Sequence, residues 1–144
     1  MCVSHDEKIA FIGEQSPSGN LYAIDIAGGN AGAAIVAAKG GTVVRVVTGC
    51  SHNYPKSGSC GCGGGYGNYV IIYHGKMSDG NQYSTLYGHM RSVATSAGKY
   101  VQQGEIIGYV GSTGNSTGNH LHLEVWKGGS KANAVNPRGY IPMK

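Results

Sequence analysis

Three short stretches carry residue types that perform proton-transfer or metal chemistry. His120-Leu121-His122 lies within GNHLHLEVW. Residues two apart on a strand share a face, so the two imidazoles would stand side by side, one suited to a metal and the other to a proton. A bare pair of this kind is as readily a solvated or hydrogen-bonded one. His89, in STLYGHM, closes a strand-like run and says little alone. Asp25, in LYAIDIAGG, follows an apolar run. A carboxylate in such surroundings needs a partner, either a cation or backbone donors. The stretch 111–119, GSTGNSTGN, leads straight into His120. Its composition suits tight turns and lets backbone lie close to a peptide beside the histidines. It does not fit a phosphate loop, since no GK[ST] ending or helix follows.

The cysteines form a second group: Cys2, Cys50, Cys60 and Cys62. Cys60 and Cys62 are too close in sequence for ordinary disulfide geometry. A disulfide from Cys50 to Cys60 or Cys62, closing the loop between them, is the expectation. Free thiols are one alternative. A second metal site from Cys50, His52, Cys60 and Cys62 is another, although Cys60 and Cys62 lack the two-residue spacing of common zinc knuckles.

The elements that must position these residues read as short strands. KIAFI (8–12), LYAIDIA (21–27), TVVRVV (42–47), NYVIIYH (68–74), QYSTLYGHM (82–90), EIIGYVG (105–111) and HLHLEVW (120–126) alternate or are β-branched. Gly, Ser and Asn clusters separate them. AGAAIVAAKGG (31–41) reads as a short helix or as a strand pair turned at Gly40–Gly41. The segment 49–67 is the longest piece without a pattern, and a loop of that length often forms a functional rim.

Composition agrees: 26 of 144 residues are glycine and only 12% are charged. That excludes collagen, which needs a three-residue period, and disfavours a helical bundle and a disordered chain. The fold class expected is mostly β, a small antiparallel sheet or sandwich with a groove and glycine-rich loops, in a single domain over 1–144. The net charge of +4 comes from scattered Lys and Arg, so no nucleic-acid partner is expected. No apolar run is long enough to span a membrane, and the first residues lack a signal-peptide pattern. A monomer is expected.

Together these pieces resemble the lysostaphin-type zinc endopeptidases, the glycyl-glycine and murein endopeptidase family with the LytM-like domain. The matching pieces are YAIDIA (22–27), AAKGGTVVRV (37–46), GYGNYVIIYHG (65–75), YSTLYGHM (83–90), VQQGEIIGYVGSTGNSTGNHLHLEV (101–125) and VNP (135–137). The resemblance covers about residues 20–140, leaving 1–19 as an N-terminal segment. It implies a small antiparallel β domain with one zinc at the floor of a groove. It also implies cleavage of cross-bridge or stem peptides of bacterial peptidoglycan. Asp25 and His122 would then be zinc ligands, and His89 and His120 would flank the attacking water and the developing oxyanion. Asn68, Tyr69 and Tyr87 are candidates for holding the peptide, with half-burial on alternating strands as the other reading. The location implied is secreted or cell-envelope, or a phage-borne lysin.

The third zinc ligand of that family is a histidine upstream of the aspartate. Four residues before Asp25 stands Leu21, and further upstream the chain reads Ser16-Pro17-Ser18-Gly19. His5 is the upstream histidine present. If 8–12 and 21–27 form a hairpin with Glu7 facing Asp25, His5 falls on the same side as Asp25. If Lys8 faces Asp25, it falls on the other side. Two other functions stand beside the peptidase: a wall-binding or scaffold domain that does not cut, and a carrier-type or sugar-binding β module. VQQGEIIGYVG (101–111) resembles a lipoyl-type half-motif, but no lysine sits at a hairpin tip in the attachment context.

Overall fold

The structure is a computed structural model, and it describes residues 10–15, 23–27, 33–53, 60–76, 80–116, 120–127 and 134–135. Ten strands form the described fold: β1 (Ala10–Gln15), β2 (Ala23–Ala27), β3 (Ala34–Val36), β4 (Gly41–Val47), β5 (Asn68–Lys76), β6 (Gln82–Val93), β7 (Tyr100–Val101), β8 (Ile106–Val110), β9 (Leu121–Lys127) and β10 (Ala134–Val135). All pairings are antiparallel, in the order β1-β2-β9-β6-β5-β4-β7, with β8 on β6, β3 on β8 and β10 on β9. The fold is therefore mostly antiparallel β, as its alternating, glycine-separated runs require.

Strand periodicity divides the side chains. On β9, Leu121, Leu123 and Val125 enter the main core with Val70 and Ile72 of β5, Tyr83, Tyr87 and Met90 of β6, and Ile107 and Val110 of β8. The intervening residues of β5 and β9 face the other side. There Tyr69, Ile71 and Leu86 form a smaller cluster with Val47, Tyr66 and Trp126 packed on it. This leaves His122, Glu124 and Trp126 as a row on the side of β9 away from the main core.

The long strand β6 keeps β5 on one edge but changes partner on the other. Tyr83–Gly88 pair with β9 as far as Gly88↔His122, whereas Met90, Ser92 and Val93 pair with β8. His89 stands between the two ladders. The chain joining β8 to β9 closes this fork through one bridge, Gly111↔His120.

Three expectations change. Residues 34–36 are extended and pair with β8, while β4 begins at Gly41 and pairs with β5 and β7. The segment 31–41 is thus neither a helix nor a self-paired hairpin where described. Within 49–67, Cys62–Gly65 makes a 3₁₀ turn. That turn is bonded to the body, with Asn115 N–H donating to Gly65 O at 2.7 Å, and just before it Cys60 N–H donates to Gly114 O at 2.9 Å. The hairpin β1–β2 exists, but with Gly13 opposite Asp25 and a bulge between Phe11 and Gly13. Gly13 takes the place opposite Asp25, so both registers considered for His5 are replaced. His5 lies outside the described residues, as do Cys2, Pro17 and Leu21.

Candidate active site

The fork gathers three imidazoles. Ring centroids of His89 and His120 are 4.9 Å apart, and those of His89 and His122 are 5.5 Å apart. His89 and His122 are 6% and 5% exposed, so both are taken out of bulk water. Asp25 occupies the register position opposite His122 on β2. Of the residues singled out in the sequence, His89, His120 and His122 stand together, and Asp25 is described by its backbone register alone.

Each imidazole is held by a different device. His89 takes φ +60, and among the described residues it is the non-glycine with positive φ. Its backbone N–H donates to Tyr66 O at 2.7 Å. Its Nδ1 lies 2.6 Å from Thr113 O. A carbonyl only accepts, so Nδ1 carries the proton and Nε2 the lone pair of the neutral ring. His120 Nδ1 lies 3.3 Å from Ser116 Oγ, which is 2.9 Å from Ser112 Oγ. His122 Nε2 lies 2.8 Å from Glu124 Oε2. When that nitrogen donates to the carboxylate, Nδ1 is the basic atom, the arrangement in which second-layer carboxylates orient metal-binding histidines.

Glu124 went unnoticed in the sequence, although the same spacing of two that singled out His120 and His122 continues to it. It is 4% exposed and receives Tyr66 Oη at 2.6 Å and Trp126 Nε1 at 2.8 Å besides His122. Burial pushes its carboxyl up, but the hydrogen bonds from His122, Tyr66 and Trp126 outweigh burial and hold it below the usual carboxylate range. Tyr66 was also missed. Its ring lies 5.6 Å from that of His122, its carbonyl holds His89 and its hydroxyl holds Glu124. Burial, then the Glu124 carboxylate, push the Tyr66 phenol far up, so it stays a donor.

The proposed peptide-holding residues are placed differently. Asn68 is 3% exposed, and its amide binds Cys50 N–H at 2.9 Å, Cys50 O at 2.8 Å and Met90 O at 3.0 Å. Tyr87 is fully buried, its hydroxyl receiving Ala38 N–H at 2.9 Å and Thr85 Oγ1 at 2.8 Å. Tyr69 is 8% exposed, with its hydroxyl 2.7 Å from Arg45 Nε. Asn68 and Tyr87 thus have their polar atoms bonded inside the fold, where unpaired buried groups would be costly, while the Tyr69 hydroxyl is bonded to the exposed Arg45.

Cys50, Cys60 and Cys62 are free thiols, and the expected disulfide is not formed. Cys50 Sγ and Cys60 Sγ are 3.6 Å apart, against the ~2.05 Å of a disulfide. No helix among the described residues is long and apolar enough to cross a membrane.

Comparison with known proteins adds to this geometry. The family model described as Peptidase family M23 matches residues 19–137. DD-carboxypeptidase/endopeptidase Mpg of Neisseria meningitidis is 47% identical over 73 residues, which are 51% of this chain and 16% of that protein. This chain therefore spans a small part of that relative. Among solved structures, a mutant catalytic domain of the prophage-encoded M23 protein EnpA from Enterococcus faecalis is 30% identical, with a TM-score of 0.70 over 96% of both chains. The catalytic domain of the antimicrobial peptidase lysostaphin from Staphylococcus simulans is 27% identical, with a TM-score of 0.66 over 94% of this chain and 92% of that one.

Proposed function

The chain belongs to peptidase family M23, and from that premise we propose that it is a zinc-dependent endopeptidase hydrolysing cross-bridge or stem peptides of bacterial peptidoglycan. The observation that carries this reading is the meeting of three imidazoles at the fork of β6, with Asp25 in register with His122. The donor set suits zinc: a carboxylate, and an imidazole whose far nitrogen is oriented by a buried glutamate. Asp25 and His122 would hold the ion, with His5 as the candidate third ligand. Bound there, zinc would polarise the scissile carbonyl and acidify a water molecule.

The chain's own groups supply the rest. His89 has its Nδ1–H fixed on Thr113 O, so its Nε2 is the acceptor for the water's proton and afterwards the donor to the leaving amine. His120, beside it, donates to the oxyanion. The stretch 111–116 supplies the backbone against which a peptide lies. Such a substrate places the protein outside the cytoplasm, in the envelope or secreted, or delivered there by a phage.

A second reading, a wall-binding domain that does not cut, is favoured by one observation: Asp25 faces Gly13, which offers no ligand. Incubation of zinc-replete protein with purified peptidoglycan separates the two. New amino groups should appear, vanish with a chelator and return with zinc. His120→Ala should slow their release at least about 100-fold while wall binding persists. Binding without amine release would sink the peptidase and leave the second reading.

A further inference from the structure

Away from the fork, the loop entering β5 brings together Cys50, His52, Cys60 and Cys62. One donor atom from each lies within 4.8 Å of all the others. Cys50 Sγ is 3.6 Å from Cys60 Sγ and 4.0 Å from His52 Nδ1, and Cys62 Sγ is 3.9 Å from His52 Nδ1. The corners of a tetrahedron stand about 1.6 bond lengths apart. With Zn–S near 2.3 Å and Zn–N near 2.0 Å, its edges are about 3.8 Å between sulfurs and about 3.5 Å between sulfur and nitrogen. These three separations fall within about half an ångström of those edges.

Other readings of the cluster explain less. A disulfide would join two sulfurs and leave a thiol and an imidazole gathered to no purpose. Thiol hydrogen bonds are weak and do not account for four donors converging from two segments. The backbones of three ligands are also tied down. Asn68 grips the N–H and C=O of Cys50, Cys60 N–H binds Gly114 O, and Cys62 O accepts from Gly67 N–H. Outer contacts of this kind hold metal ligands in place.

We propose that Cys50, His52, Cys60 and Cys62 form a second, structural metal site that takes one tetrahedral, thiolate-preferring ion, zinc being the natural occupant. Four protein donors leave no open position, so the site orders structure and does not catalyse. What it orders is specific. Cys60 is bonded to Gly114, next to the Thr113 carbonyl that fixes His89, and Cys62 begins the turn that ends at Tyr66. The ion would fasten the cysteine loop to the wall of the histidine site.

Cobalt(II) substitution tests the proposal by a signal that carboxylate and imidazole ligands cannot give. Loaded wild-type protein should show an intense sulfur-to-cobalt charge-transfer band. The Asp25→Ala variant should keep the band, and Cys60→Ser/Cys62→Ser should lose it. Alkylation mapped by peptide guards against variants that fail to fold. In the wild-type zinc-loaded protein, Cys50, Cys60 and Cys62 should be shielded and should become reactive on chelation. Absence of the band from metal-replete wild-type protein, equal alkylation with and without chelator, or an intact mass showing a disulfide would each overturn the site.

Discussion

His89 concentrates the tension between stability and chemistry in one residue. A left-handed backbone costs a side chain with a Cβ about 1 kcal/mol, and such strain persists only where surrounding contacts fix it. Here Tyr66 O holds the amide and Thr113 O holds the ring. His89→Gly and His89→Ala both remove the imidazole, but only glycine relieves the backbone. In urea unfolding the glycine variant should be more stable than the alanine variant by about 1 kcal/mol, with both at least about 100-fold slower in hydrolysis. Equal stability would show that no strain is stored. At this scale the sequence was half legible. The spacing of two identified His120 and His122, and the same rule carried one step further leads to Glu124, which went unnoticed. Tyr66 could not be read in advance, because its importance comes from a turn that folds it back over β9, and nothing periodic marks that turn. Tyr87 was a candidate for holding the peptide because it stands two residues before His89, and alternation along β6 turns it into the core.

At the scale of elements, two loops hold the site by touching each other. Gly67 has φ +68, and a Cβ there would come 2.6 Å from Thr113 O. Gly104 has a similar φ of +83 with open space around it. Alanine at Gly104 should cost only the conformational penalty, about 1 kcal/mol. Alanine at Gly67 should cost at least about 2 kcal/mol more, because backbone must move. It should also slow hydrolysis by shifting the carbonyl that orients His89. Thermal melts of the two variants give the comparison, and equal losses would mean that the approach of the loops is not tight. The strands themselves were readable from β-branched runs and their glycine boundaries. Register was not. Gly13, five or six residues beyond the positions considered from sequence, faces Asp25, and the bulge between Phe11 and Gly13 accounts for only one residue of that offset. The change of partner along β6 was equally hidden, since pairing depends on residues far away in the chain.

For the molecule as a whole, the acid limit of stability should trace to Glu124. Its folded-state pKa is depressed, so its contribution is present above the unfolded value of about 4.3 and is lost as pH falls through the lower folded value. Wild-type protein should be more stable than Glu124→Gln at neutral pH, and the gap should close below about pH 4.3. Urea midpoints measured across that range decide it, and a gap independent of pH would assign the loss to packing. The histidines of this molecule stand where one strand passes from one ladder to another. An opening of that kind is a seam, kept apart by the divergence of two ladders of one sheet and not by the bulk of any side chain. Residues on either ladder can drift, or the loops beyond them can lengthen, without closing it. A lineage built on this seam can therefore exchange its rims for new substrates while inheriting the same chemical floor.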